Sequence, residues 1–168
     1  PTIQGDLEMN LKFYKLRANA KLPVRAHRTD AGMDLFYCPN GNRGVCTEEN
    51  GEYWIPARGS SLISTGLKTE IPKGYMLEVK NRSSVASKRS LIVGACVVDS
   101  GYDGEVFVNL HNIGTEPQVV EPHTKIAQVV MTPVVSFRAM ETSNPDLYGW
   151  YPITISDRGD GALGSTDK

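Results

Sequence analysis

Cysteine is scarce in this chain, and what there is does not form a pattern. Cys38, Cys46 and Cys96 are an odd set without CxxC spacing, which argues against a zinc site and a full disulfide framework. Cys38 and Cys46 flank Pro39-Asn40-Gly41-Asn42-Arg43-Gly44-Val45 and either face each other across a hairpin as a disulfide or remain two free thiols. Long hydrophobic runs are lacking too. Nothing approaches the roughly 18 apolar residues of a membrane span, and no charged-then-apolar leader opens the chain. The expectation is a soluble intracellular protein of cytoplasm or nucleus, without a membrane partner. An excess of either charge is missing: 18 Lys plus Arg stand against 19 Asp plus Glu, a net charge of −1. That balance offers no broad basic field for nucleic acid, so no direct nucleic-acid binding is expected, and an anionic ligand must be met by a local cluster. His27, His111 and His123 show no i, i+4 pairing or carboxylate framing, the marks of a metal site.

Turn formers, by contrast, are plentiful. With 16 Gly and 10 Pro in 168 residues, the composition suits many short strands joined by tight turns, and the length suits one domain spanning 1–168. Short apolar and alternating runs at Leu11–Leu16, Tyr53–Ile55, Ser61–Ser64, Tyr75–Val79, Leu91–Val93, Val106–Leu110, Gln118–Val120, Ile126–Met131 and Val134–Ala139 read as strands. Asn40-Gly41 and Asn50-Gly51 can take the positive φ of a type I′ turn and place a β-hairpin excursion between Leu35 and Pro56. Ser84–Arg89 is the one helical candidate, with Ser83 or Ser84 as its cap. A tail at about 157–168, dense in glycine, is expected to be mobile until a ligand orders it. Many strands without alternating helices predict an all-β sandwich or jelly roll.

Asp99 ends the apolar run Cys96-Val97-Val98 and precedes Ser100-Gly101-Tyr102. A carboxylate fixed where a strand opens into a turn has a free lone pair for activating water, although an aspartate that caps the turn fits the same residues. Tyr102, spaced to lie near the same face of the turn, is either an ordinary half-buried aromatic or a flat ring that can pack against a sugar. Arg82-Ser83-Ser84 at a helix start assembles a guanidinium, two hydroxyls and backbone amides, a set suited to phosphate oxygens, although a plain N-cap with a solvated arginine fits the same residues. The run Arg158-Gly159-Asp160-Gly161-Ala162-Leu163-Gly164-Ser165-Thr166 lets backbone amides approach a phosphate chain, but it is not a Walker A loop because no Lys follows in register. Gln128 sits among apolar neighbours and needs either a structural partner or a ligand. Asp34, in Ala31-Gly32-Met33-Asp34-Leu35, is placed to support an arginine or a hydrated metal.

Taken in order, the segments around Asp34, Arg82, Asp99, Lys125-Ile126-Ala127-Gln128 and Arg158–Thr166 resemble the ordered motifs of the trimeric dUTP pyrophosphatases. The resemblance implies a distorted β jelly roll of the β-clip type with one short helix and a mobile C-terminal tail. It also implies a homotrimer with shared active sites, and Mg²⁺-assisted hydrolysis of dUTP to dUMP and pyrophosphate. By the same resemblance Asp99 activates the water, and Tyr102 packs under deoxyribose. The backbone of Ala95, Cys96 and Val97 reads uracil. Ser83 contacts the phosphates, with Ser84 beside it, while Arg82 and Gln128 fix the phosphate chain and the water. Arg158, Gly164, Ser165 and Thr166 close on the γ-phosphate, and Leu163 covers the base. The magnesium is carried by phosphates and water with no direct protein ligand, Asp34 belonging to its outer shell.

Departures from the family pattern are Leu163 in place of a stacking aromatic, Ser84 and Cys96 in place of glycines, and Lys125 in place of arginine. Insertions at about 38–54 and 140–155, the latter with Tyr148-Gly149-Trp150-Tyr151, offer a surface for a protein partner. Two other readings share the pocket. A dCTP deaminase needs a glutamate on the strand after the Asp99 turn, where this chain has Asn109. A nucleotide-binding regulatory protein would keep the pocket and subordinate the chemistry.

Overall fold

In the computed structural model, which describes residues 9–41, 43–44 and 48–147, the described elements are strands with a single short helix. In chain order these are β1 (Phe13–Lys15), β2 (Met33–Phe36), β3 (Arg43–Gly44), β4 (Glu48–Glu49), β5 (Glu52–Ile55), β6 (Ser60–Ser64) and β7 (Leu67–Thr69). They continue with β8 (Tyr75–Lys80), α1 (Ser83–Arg89), β9 (Leu91–Val93), β10 (Val97–Val98), β11 (Phe107–Asn112), β12 (Gln118–Val120) and β13 (Lys125–Pro133). The chain divides into two compact units, Pro1–Val135 and Ser136–Lys168.

The first unit is an all-β fold of the jelly-roll type. Its two four-stranded antiparallel sheets run β10-β8-β13-β2 and β3-β6-β11-β9, beside a three-stranded sheet β12-β5-β4 and the pair β1-β7. Period-two alternation makes the core: along β11, Val108, Leu110 and Asn112 are buried while Phe107, Asn109 and His111 face the other way, half-buried. Leu35, Tyr53, Ile63, Val108, Leu110 and Ile126 pack into one cluster, each at most 2% exposed. Burying such a side chain contributes roughly 1.5–3 kcal/mol of transfer free energy. Helix α1 lays Val85 on this cluster and ends at Ser90 in the left-handed region, φ 53°, whose N–H bonds the Val85 carbonyl.

Several local expectations change. The excursion between Leu35 and Pro56 is not one hairpin, because β3 joins β6 and only β4–β5 turns back on itself. That turn is Asn50-Gly51 with φ 53° and 81°, the type I′ signature. Cys38 is a buried free thiol, its sulfur 3.3 Å from Arg17 Nε; Cys46 lies outside the described residues. The cap of α1 is Arg82 in extended conformation, without a side-chain capping bond, so Ser83 and Ser84 fall inside the first turn and not before it. Strands β2, β7 and β10 carry too few alternating positions to announce themselves. Val134–Ala139 forms no ladder: Pro133 ends β13, and Val135 and Phe137 are 84% and 86% exposed. An apolar run records what a segment is able to bury, not whether a neighbouring strand is there to pair with it.

In the second unit, residues 136–147 contain no helix or strand. Local bonds run from Asn144 N–H to Thr142 Oγ1 at 3.1 Å and from Asp146 N–H to Asn144 Oδ1 at 3.0 Å. The tail from Arg158 to Thr166 and the aromatic run Tyr148–Tyr151 lie outside the described residues.

Candidate functional site

The predicted residues of the first unit fall into two groups. One surrounds a cavity of about 270 Å³ lined by Ala95, Cys96, Val97, Asp99, Tyr102 and Asn109 among others. Two-residue β10 pairs with the middle of β8, Val97 opposite Glu78, and the Cys96 carbonyl accepts the Val79 N–H at 2.7 Å. The chain then turns: Tyr102 N–H bonds the Asp99 carbonyl at 3.2 Å, Ser100 Oγ bonds the Ile71 carbonyl at 2.9 Å, and Tyr102 O–H donates to the Glu105 carbonyl at 2.9 Å. These bonds hold Asp99 and the Tyr102 ring at the mouth of one cavity while leaving both exposed. Asp99 is therefore not stranded at the end of a buried strand; it is a solvent-accessible carboxylate on a pinned turn.

Beneath that turn Glu105 is fixed by an ion pair to Arg17, the two side chains 13% and 21% exposed, and by the Gly66 N–H at 2.7 Å. Burial by itself lowers the affinity of Arg17 for its proton, but hydrogen bonds to Glu105 and Cys38 outweigh it and the net shift is upward. Nothing in the sequence pattern announced Arg17, since its partner lies far along the chain.

The second group is built on the register of β13. Gln128 stands directly opposite Asp34 of β2 on one side and Lys80 of β8 on the other. Asp34, its side chain 12% exposed, receives Arg82 Nε on one oxygen and Lys125 Nζ on the other, each at 2.8 Å. Of the two tasks the sequence allowed Asp34, supporting an arginine is the one these contacts display. Gln128 Nε2 donates to the Asn81 carbonyl at 2.8 Å, giving its amide a structural partner. A Cβ on Gly32 would lie 2.2 Å from Gln128 Oε1, so the absence of a side chain at residue 32 sets where that amide sits. Ser83 and Ser84 follow Arg82, exposed on the first turn of α1.

Arg82, Ser83, Ser84, Gln128 and Asp34 do not line the cavity that holds Asp99 and Tyr102. Arg158, Leu163, Gly164, Ser165 and Thr166 lie outside the described residues. Among the described residues no group of three or more His, Cys, Asp or Glu is arranged to hold a metal ion. Nor is any helix there long and apolar enough to cross a membrane.

A family model described as dUTPase matches residues 18–166. The deoxyuridine 5′-triphosphate nucleotidohydrolase of Clostridium acetobutylicum is 38% identical over 160 residues, covering 94% of this chain and 97% of that protein. The enzyme of the same name from Alkaliphilus metalliredigens is 35% identical over 159 residues, covering 94% and 96%. Among solved structures, a variant of the Staphylococcus bacteriophage 80alpha dUTPase with dUpNHpp superposes with a TM-score of 0.74 at 23% identity, covering 94% and 98% of the two chains. A variant of the dUTPase from phage phi11 of S. aureus, described with a structural Mg(II) ion, gives 0.69 at 22% identity, covering 81% and 98%.

Proposed function

This chain belongs to the dUTPase family, and from that premise we infer how its residues divide the hydrolysis of dUTP to dUMP and pyrophosphate. The observation that carries the reading is the cavity that Asp99, Tyr102 and the Ala95–Val97 segment line together. Asp99 is the general base: exposed at the mouth, it accepts the proton of the water that attacks the α-phosphorus. Tyr102, held through its hydroxyl to the Glu105 carbonyl, packs against the deoxyribose. The backbone of Ala95, Cys96 and Val97 reads the uracil edge.

Arg82, aimed by Asp34, meets the phosphate chain with Ser83 and Ser84, and Gln128 orders the attacking water. Arg158, Gly164, Ser165 and Thr166 would take the γ-phosphate and Leu163 the open face of the base. Magnesium, for which the described residues offer no chelating cluster, would arrive held by the triphosphate and would offset its charge. Asp34, with both oxygens engaged by cations, reaches such an ion only through water.

A site split in this way supports assembly as a homotrimer with shared active sites. Among the described residues the phosphate group does not line the cavity of the base group, and Val135, Phe137 and Met140 are 84%, 86% and 87% exposed, as a segment covered by a neighbouring copy would be. On this reading the residues after Val135 are an arm and tail of a single domain. Trp54, 41% exposed on β5 within the 38–54 insertion, is the candidate contact for a protein partner; retention of a captured partner by Trp54→Ser would remove it.

The test of the reaction is pyrophosphate and ammonia release from dUTP and dCTP separately, in magnesium, with Asp99→Asn alongside. Pyrophosphate from dUTP alone, lost in the variant, is expected. Ammonia from dCTP would mean a deaminase, and binding without turnover a regulatory protein.

A further inference from the structure

Asn109 stands where a deaminase would carry its glutamate, and the amide has a task of its own here. On β11 it shares a face with His111 and borders the cavity that holds Asp99. Its Nδ2 donates to the Ser61 carbonyl at 3.3 Å, which orients the amide. Oδ1 therefore faces the other way and accepts two bonds, from the Ala95 N–H at 3.0 Å and from His111 Nε2 at 3.0 Å, so that this ring nitrogen carries the proton. The main-chain carbonyl of Asn109 takes the Gly94 N–H at 2.9 Å. Gly94 itself lies against the pair: a Cβ there would be 2.3 Å from His111 Nε2 and 2.4 Å from Asn109 Oδ1.

The segment from Gly94 to Val97 is thus pinned from two sheets. Beyond it, β8 holds Cys96 and Val97 through main-chain bonds that any sequence could make. On the near side the bond to Ala95 comes from a side chain, and only Asn109 supplies it.

We propose that Asn109, oriented by Ser61 and His111, is a positioning residue for base selection: its amide sets the wall of the slot at Ala95 and so the width available to the pyrimidine. The inference rests on the reading that Ala95–Val97 meets the base. A slot whose width is set by one side-chain hydrogen bond loses selectivity when that bond is removed, while the water-activating carboxylate on the next turn is left in place.

The test compares KM and kcat for dUTP, and selectivity for dUTP over dTTP and dCTP, in Asn109→Leu and Asn109→Asp. Leucine has a similar volume and no acceptor; it is expected to raise KM about tenfold and to lower selectivity as much, with kcat within about twofold. Aspartate keeps the acceptors for Ala95 and His111 but loses the donor to the Ser61 carbonyl, and is expected to raise KM by no more than about threefold, well short of leucine. Should Asn109→Leu not fold, His111→Leu carries the test, with an expected rise in KM of about two- to threefold. Parental KM and selectivity in Asn109→Leu, equal losses in the Leu and Asp variants, a fall in kcat at unchanged KM, or no shift in His111→Leu would each overturn the proposal. Cys96→Trp, which fills the slot, separates the two levels of argument. If it raises KM and Asn109→Leu does not, the positioning role fails alone; if neither does, the base is not read at this segment and both fail.

Discussion

The two halves of the site are held by different forces. Around the cavity lined by Ala95, Cys96 and Val97 most of the bonds are neutral, Cys96 to Val79, Tyr102 to Asp99 and Glu105, Ala95 and Gly94 to Asn109, with the Arg17–Glu105 ion pair beside them. Around the phosphate residues the geometry is set by charge, with one carboxylate, Asp34, holding Arg82 and Lys125. Neutral bonds are short-ranged and directional, so they fix a shape, one that on the proposed reading discriminates between bases. A partly buried carboxylate instead holds two cations side by side against their mutual repulsion, where on the proposed reading a polyanion would meet them.

Substitution on either side sharpens that contrast. On the proposed reading the largest effect is expected at Asp99, which lines the base cavity by position and acts on the phosphate chain by its assigned task. Asp99→Asn should lower kcat at least about 100-fold while KM for dUTP moves by less than about twofold; steady-state kinetics in magnesium checks both. A matched rise in KM would mean that the carboxylate binds more than it catalyses.

Asp34→Asn comes next. It leaves Arg82 and Lys125 sharing a neutral amide, with an expected loss of about 2 kcal/mol of stability, below the figure for fully buried pairs because the cations reach solvent. Affinity for dUTP should fall while affinity for deoxyuridine does not. Calorimetry with both ligands reads this directly, and an equal loss for the nucleoside would dissolve the distinction between the two halves.

Two glycines offer the same change on each side. Gly94→Ala would drive a methyl group between Asn109 Oδ1 and His111 Nε2, both anchored, so a loss of about 1–2 kcal/mol in thermal unfolding is expected together with a raised KM. Gly32→Ala meets the far end of Gln128, which can swing away. Its stability cost should stay below about 1 kcal/mol and its effect should appear in kcat. Reversal of that order would show that Gln128 is the more rigid of the two amides.

The smallest effect is expected at the rim of the base side, where the hydrogen bond and charge of Lys68 hold the exposed Asp103 carboxyl below its ordinary 3.8. A carboxyl depressed by folding contributes above its unfolded value and loses that contribution as pH falls through its folded one. Asp103→Asn should therefore lower stability slightly near neutrality, the difference from the parent closing as pH falls below about 3.8. Acid titrations of the two proteins, followed by circular dichroism, compare them.

Much of the base side was legible because it is contiguous. Cys96 through Tyr102 carry the slot, the carboxylate and the ring in one short stretch, and the turn residues Ser100-Gly101 announce the bend. The strands with several alternating positions, β6, β8, β11 and β13, were visible for the same reason. The phosphate side gave up its residue types but not their partners: Asp34 was open between an arginine and a hydrated metal, Gln128 between structure and ligand. Asn109 was noticed only for the glutamate it is not. Val134–Ala139 misled because its apolar pattern is real while the ladder that would use it is not there among the described residues of one chain.

The chain by itself determined the all-β class, the placing of the tight turn at Asn50-Gly51, and the order of the chemistry-bearing segments that marks the dUTPase family. Each of these is local, written in composition, period or short spacing. Only the tertiary structure decided that Asp34 stands between Arg82 and Lys125, that Arg17 pairs with Glu105, and that Asn109 holds Ala95. Asp34, Lys125 and Asn109 take their places from strand register, and register is settled by how whole faces bury against each other; a slip of one residue would send each of these three side chains to the opposite face.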